Sequence, residues 1–374
     1  MPNMDKIKSL IPMHEIEQGA QTQIYDNANI PFVKTIAVMP DCHQGYDLPI
    51  GAVALVEGYI SPSYVGYDIG CGMICYEIPM SDIVGFNDAD RAEVFHLIKE
   101  KIPVGFIEHD NPYTDSFQSQ SGDKELTDKV NAKLAKQYGT LGGGNHFIEI
   151  GYNANGTVFI TIHSGSRRPG WEIGNWYMNK AKMIGANYNG GSVYGKFFPL
   201  DSDLGQAYLG DMNFALKFAL ENRKHMLKAI VKIMTGNTGM LFNYINENHN
   251  HAIVLDNGDV LHRKGATPAA SFELGVIPGS MLSGVYITEG KGNQEFLCSA
   301  SHGAGRKMSR GFAKKNIALD TFKAQMEGIL ANVNETTLDE APDAYKDLEY
   351  VMNAQKGVVV EVVDFIKPII NIKG

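Results

Sequence analysis

The chain has 374 residues, a formal net charge of -9, 44% hydrophobic and 20% charged residues. That composition excludes a fibrous or disordered chain and leaves ample material for a buried core, in one large domain or two average ones. An acidic molecule repels nucleic acid as a whole, so a polynucleotide substrate would have to be gripped by a local basic patch.

Met1 to Ala20 mixes Asp5, Lys6, Lys8, Glu15 and Glu17 into its apolar residues and lacks the core of a signal peptide. No run is long enough to span a bilayer. Four cysteines make no disulfide scaffold and suit a reducing cytosol, so the expected location is cytoplasmic.

In chain order, Thr35 to Met39 and Ile50 to Val56 read as strands bracketing a polar loop, Pro40-Asp41-Cys42-His43-Gln44-Gly45. The glycine-bearing turn Tyr67-Asp68-Ile69-Gly70-Cys71-Gly72 leads into a strand over Met73 to Ile78. Asn87 caps a helix over Asp88 to Lys101, and a second helix over Lys124 to Tyr138 stops at Gly139. The turn Thr140 to Gly144 delivers Asn145 and His146 to a strand over Phe147 to Ile150. Asn155-Gly156 then turns into a strand over Thr157 to Ile162, with His163 at its exit.

Trp171 to Met234 is mainly helical, broken by glycines between Gly185 and Gly195. Beyond Gly236 short strands return at Ala252 to Leu255, Val260 to His262 and Val285 to Thr288, and helical patterns resume after Gly305. No fixed repeat and no Pro/Ser-rich linker appear. One large α+β domain with mixed sheets and flanking helices is expected over residues 1–374, its alternation too irregular for a barrel or a doubly wound sheet.

Chemistry concentrates in Cys298-Ser299-Ala300-Ser301-His302-Gly303-Ala304-Gly305-Arg306. Small residues let amides approach a phosphate, Arg306 is expected in a first helical turn, and His302 is an imidazole nucleophile needing no separate base. Asp68 and Cys71 could reach one ion or a close pair of ions. His146 and His163 would meet at one edge of an antiparallel hairpin, and the run Asn248-His249-Asn250-His251 could complete the set.

Gly142-Gly143-Gly144 lacks a following Lys-Ser or Lys-Thr, so it is no P-loop, and no Lys-x-Asp-Gly signature of lysine-dependent nucleotidyl transfer is present. Arg306, Lys307, Arg310, Lys314 and Lys315, with Arg167 and Arg168, offer phosphate grips. Lys264 could also hold a phosphate, and Ser280, in the turn Pro278-Gly279-Ser280-Met281, could contact a base or phosphate.

With these residues laid out, the chain resembles the RtcB family of GTP- and manganese-dependent RNA ligases. The likeness runs nearly end to end. It rests on Met39-Pro40-Asp41 with His43 and Gly45, Asp68-Ile69-Gly70-Cys71-Gly72, Gly144-Asn145-His146-Phe147, and His163-Ser164-Gly165-Ser166-Arg167. His262-Arg263-Lys264-Gly265-Ala266, Pro278-Gly279-Ser280-Met281 and Ser301-His302-Gly303-Ala304-Gly305-Arg306 complete it. The resemblance implies that Asp68, Cys71, His146, His163 and His249 bind two manganese ions, that Cys71 bridges them, and that His302 becomes guanylylated. It also implies that Asn145, Glu149, Asn250, Ser280, Tyr345 and Lys373 surround the guanine nucleotide, with Arg306 and Arg167 offsetting phosphoryl charge.

The implied reaction joins an RNA 2′,3′-cyclic phosphate or 3′-phosphate end to a 5′-hydroxyl end, in RNA repair or tRNA splicing. An archease-type activator is the protein partner such a family brings into question. Either His249 or His251 could be the third histidine ligand, His249 being favoured because an asparagine follows it. Tyr46-Asp47-Leu48-Pro49 and Arg168-Pro169-Gly170 depart from commoner glycine-rich forms and flank the expected site, which bears on RNA end preference. Two alternatives stand beside the ligase: a dinuclear metal phosphodiesterase that opens cyclic phosphates, and a silent RNA-end binding protein.

Overall fold

The computed structural model describes residues 3–79, 88–110, 117–119, 121–186, 194–237 and 241–374. Strands that are buried at every position organise it. Val158–Ser164 and Asp259–Lys264 show no exposed residue, as befits strands covered on both faces. The first sits inside a sheet whose order runs Leu274–Pro278, Val285–Gly290, Val360–Lys373, Phe147–Tyr152, Val158–Ser164, Gly72–Ile78, Ile245–Asn248, with Leu330–Ala331 attached to the side of Val360–Lys373. The second belongs to a five-stranded sheet ordered Ile7–Ser9, Val33–Tyr46, Leu48–Glu57, Asp259–Lys264, Asn250–Val254.

The larger sheet curls until its end strands meet, the Val276 amide donating to Glu247 Oε1 across the seam at 3.3 Å. It is therefore nearly closed, against the expectation that irregular spacing excluded a barrel. The mixed α+β architecture is as expected. One of the connections between the two sheets is a single residue, His249, which lies between Ile245–Asn248 of one and Asn250–Val254 of the other.

The long helix Asp203–Thr235 begins at Ser202, whose hydroxyl accepts the Gly205 amide, and stops at Gly236 in the left-handed region. Its stripe of Met226, Leu227 and Ile230 packs on Ile74, Ile160 and Ile162 of the larger sheet. Each such side chain contributes roughly 1.5–3 kcal/mol by leaving water.

Three expectations need correction. The polar loop at Pro40 to Gly45 is part of the continuous strand Val33–Tyr46, whose register against Leu48–Glu57 slips between Val38 and His43. That slip is a bulge, which re-aims Asp41 inward. Arg306 opens no helix; it bridges to Tyr345 in extended form, and the next helix is the short Arg310–Asn316. The chain after Gly305 is not helical throughout, because Val360–Lys373 crosses the larger sheet. The Asn87 cap lies outside the described residues, as do 187–193 of the expected glycine-rich break.

Candidate active site

Register does most of the assembly. Gly72 pairs with Ser164 on one side and Asn248 on the other, so Cys71, His163 and His249 arrive at one edge. Phe147 pairs with His163 across the expected hairpin, which brings His146 alongside. Cys71 Sγ lies 3.2 Å from His146 Nε2 and 3.1 Å from His163 Nε2. His163 Nε2 is 3.2 Å from His249 Nε2, and His146 Nε2 is 2.9 Å from Asp68 Oδ2. All five residues converge.

His251 does not join them. Its Nε2 lies 3.3 Å from Arg263 Nη1 in a separate buried cluster.

The far side of each ring fixes its tautomer. His146 Nδ1 donates to Leu141 O at 3.1 Å and His163 Nδ1 to Asn145 O at 3.0 Å, so Nε2 of each ring is the nitrogen turned to the thiol. Burial, with neighbouring imidazoles, holds His163 and His249 neutral, well below the usual histidine range. Burial also pushes the Cys71 thiol well up, with Asp68 adding to it. For Asp68 burial works upward, but His146 and then Arg167 win and hold the carboxyl below its ordinary value. Sulfur, nitrogen and oxygen donors thus crowd one point, and Cys71, His146 and His163 are close enough together that they could hold a metal ion. Around Cys71, Asp68 stands beyond His146 and His249 beyond His163.

Two glycines leave room for these groups. A Cβ on Gly165 would stand 2.2 Å from Asp68 Oδ1, and one on Gly142 would stand 2.0 Å from Arg167 Nη1. Arg167, itself in the left-handed region, passes its guanidinium over Gly142 to within 3.3 Å of His146 Nδ1.

His302 follows the strand Ser299–Ser301, and its ring centroid is 4.9 Å from that of His249. Its Nδ1 donates to Asp41 Oδ2 at 2.7 Å, and the same oxygen accepts the His302 amide at 3.2 Å. Asp41 is fully buried. The other ring nitrogen of His302, Nε2, is not engaged by Asp41. A cavity of about 740 Å³ opens on these groups, lined among others by Asn145, Asn250, Arg306, Tyr345 and Lys373. Glu149 and Ser280 are buried but do not line it: Glu149 Oε2 accepts from Asn371 at 2.9 Å, and Ser280 meets the Ser283 hydroxyl at 2.7 Å. Lys264 lines the cavity while its ammonium donates to the carbonyls of Tyr46 and Ser63.

A family profile described as tRNA-splicing ligase RtcB matches residues 23–124 and 108–374. The chain belongs to the RtcB family. It is 33% identical over 390 residues to an RNA-splicing ligase RtcB1 of Escherichia coli, covering 96% of this chain and 95% of that protein. The RNA-splicing ligase RtcB of Escherichia coli K12 gives 33% over 392 residues with the same coverage. A tRNA-splicing ligase RtcB of Pyrobaculum aerophilum is 30% identical over 426 residues, covering 90% of this chain and 87% of its own length.

In this RtcB chain three contributors had no role assigned from the sequence, although Asp41 stands in the motif Met39-Pro40-Asp41. Asp41 had been placed in a loop. Glu340 gathers cations on one side of the cavity, Lys373 Nζ at 2.6 Å, Arg306 Nη1 at 3.2 Å and Arg310, and accepts the Tyr345 hydroxyl as well. Nothing in its sequence neighbourhood announces that. Arg223 could have been noticed, since it interrupts the apolar stripe of Asp203–Thr235, where a charged residue is rare. Its Nη1 donates to Gly70 O and Ser164 O, each at 2.8 Å, and its Nη2 to Asn248 Oδ1 at 2.8 Å. One guanidinium thus ties together the neighbours of Cys71, His163 and His249. Among the described residues no helix is long and apolar enough to cross a membrane.

Proposed function

We propose that this RNA ligase uses GTP and two manganese ions to join RNA ends bearing a 2′,3′-cyclic phosphate or 3′-phosphate to 5′-hydroxyl ends. The observation that carries the reading is His302, held by Asp41 at one ring nitrogen and facing His249 and the cavity with the rest of the ring. Nε2 attacks the α-phosphorus of GTP, forming the N–P bond as the bond to pyrophosphate breaks. Asp41 balances the positive charge that this places on the imidazole. An oxygen of the RNA 3′-phosphate then takes GMP from His302, and the 5′-hydroxyl displaces GMP from that phosphate, leaving a phosphodiester. A cyclic phosphate is first opened by water.

Asp68, Cys71 and His146 would hold one cation, and Cys71, His163 and His249 the other. The ions supply Lewis-acid charge to phosphoryl oxygens. Lys373, Tyr345, Asn145 and Asn250 position the nucleotide, with Glu149 and Ser280 behind them. Arg306 and Arg167 offset phosphate charge. The four unpaired cysteines suit a reducing compartment, which supports a cytoplasmic location.

The test is incubation with manganese and α-labelled GTP, then a denaturing gel and acid or alkali treatment. A labelled band that is lost in acid, stable in alkali and absent from His302→Ala is expected. Unchanged labelling of His302→Ala would remove His302 as nucleophile. Opening of cyclic phosphate with no label at all would favour the phosphodiesterase.

A further inference from the structure

Tyr46 and Arg168, from the two stretches that depart from glycine-rich forms, stand far apart in the chain. The fold places them at two ends of one row of rings. The Arg168 guanidinium lies 3.9 Å from the Trp171 ring centroid, and Glu172 holds it there through a 2.7 Å bond. Trp171 stacks with Tyr67 at 5.9 Å and 18°. Tyr67 meets Tyr46 edge-on at 5.7 Å and 77°, and the Lys182 ammonium stands 5.7 Å from the Tyr46 ring.

The row leads from the surface into the site. Tyr46 and Tyr67 line the cavity, and Tyr67 immediately precedes Asp68. Tyr46 is 50% exposed, and Arg168 and Lys182 are exposed. Rings serving only a core would be covered, and their edges would not carry a cation at each end. Exposed aromatic and guanidinium planes flanked by cations are what unpaired nucleobases and their phosphates bind. A chain of net charge -9 needs such a local grip on a polyanion.

We propose that the row Arg168–Trp171–Tyr67–Tyr46 is a stacking platform for unpaired nucleobases next to the RNA end. The outer face of the Arg168 plane and the open face of Tyr46 receive the bases, so single-stranded ends are chosen over paired ones. The identity of the ligand as an RNA end rests on the ligase reading above.

The experiment measures fluorescence anisotropy of a short single-stranded RNA with a 3′-phosphate, and of a blunt duplex, without GTP. Tyr46→Ala and Arg168→Ala should each weaken single-strand binding about tenfold and duplex binding less than about twofold. Tyr46→Phe should bind like the parent. Arg168→Lys keeps the charge and loses the plane, so it should weaken about as much as Arg168→Ala. Parent-like binding by Arg168→Lys, or equal losses for single strand and duplex, would overturn the platform. GMP capture by the parent protein in the same preparation is scored separately. Its absence refutes the ligase reading, whereas capture without any effect of these substitutions on RNA refutes only the platform.

Discussion

The readiness of His302 depends on one oxygen of Asp41, which accepts both the ring N–H and the backbone N–H. Asp41→Ala removes both anchors and the charge, and should slow GMP capture about 10²-fold or more; Asp41→Asn keeps an acceptor and should slow it about tenfold. Parent-like rates for both would take the carboxylate out of the reaction. Glu149 carries a pH signature. Burial pushes its carboxyl from 4.5 up to about 8, against the pull of Asn371 and Lys373. The folded protein keeps a proton that the unfolded chain releases, so this stabilisation is full below pH 4.5 and fades as pH rises through about 8. In Glu149→Gln the urea midpoint should therefore fall less between pH 5 and 8 than in the parent, as read by urea titrations at several pH values. Identical slopes would place the proton elsewhere.

At the scale of elements, the helix Asp203–Thr235 does more than cover a sheet, because Arg223 holds at once the segments that carry Cys71, His163 and His249. Arg223→Met strands those carbonyls. It should cost about 3 kcal/mol in urea unfolding and lower the manganese retained after dialysis. Arg223→Lys should recover part of the stability and less of the metal. Unchanged metal retention in both would leave Arg223 a core residue only. The hairpin holding His146 and His163 was legible in advance, since two short apolar runs on either side of the Asn155-Gly156 turn imply an antiparallel return. The Asp41 bulge was not, because proline and polar residues inside a strand read as a loop when the partner strand is unknown. Val360–Lys373 hid for another reason. Its first half alternates buried and exposed positions while its second is wholly buried, and Pro368 sits beside a register shift, so no single period runs through it. Glu340 was invisible because its partners come from three separate stretches, Arg306 with Arg310, Tyr345 and Lys373.

For the whole molecule, the cluster joins the larger sheet to the junction at His249, so cations that bind there bind only the folded chain. Manganese at about 100 times its dissociation constant should stabilise the parent by about 2.7 kcal/mol, seen as a rise in Tm, and a chelator should reverse it. Cys71→Ala should show neither change; a parent-sized response in that variant would move the cations off the sulfur. The distances in sequence among the site residues have a consequence for synthesis. Cys71 leaves the ribosome long before His249, waiting roughly ten to forty seconds at 5–20 residues per second. Over that interval the nascent thiol has Asp68 and then His146 and His163 for company, but not the residue that links the sheets. The cluster therefore stays incomplete until residue 249 has been made, and the sheet that carries it until Val360–Lys373 has joined.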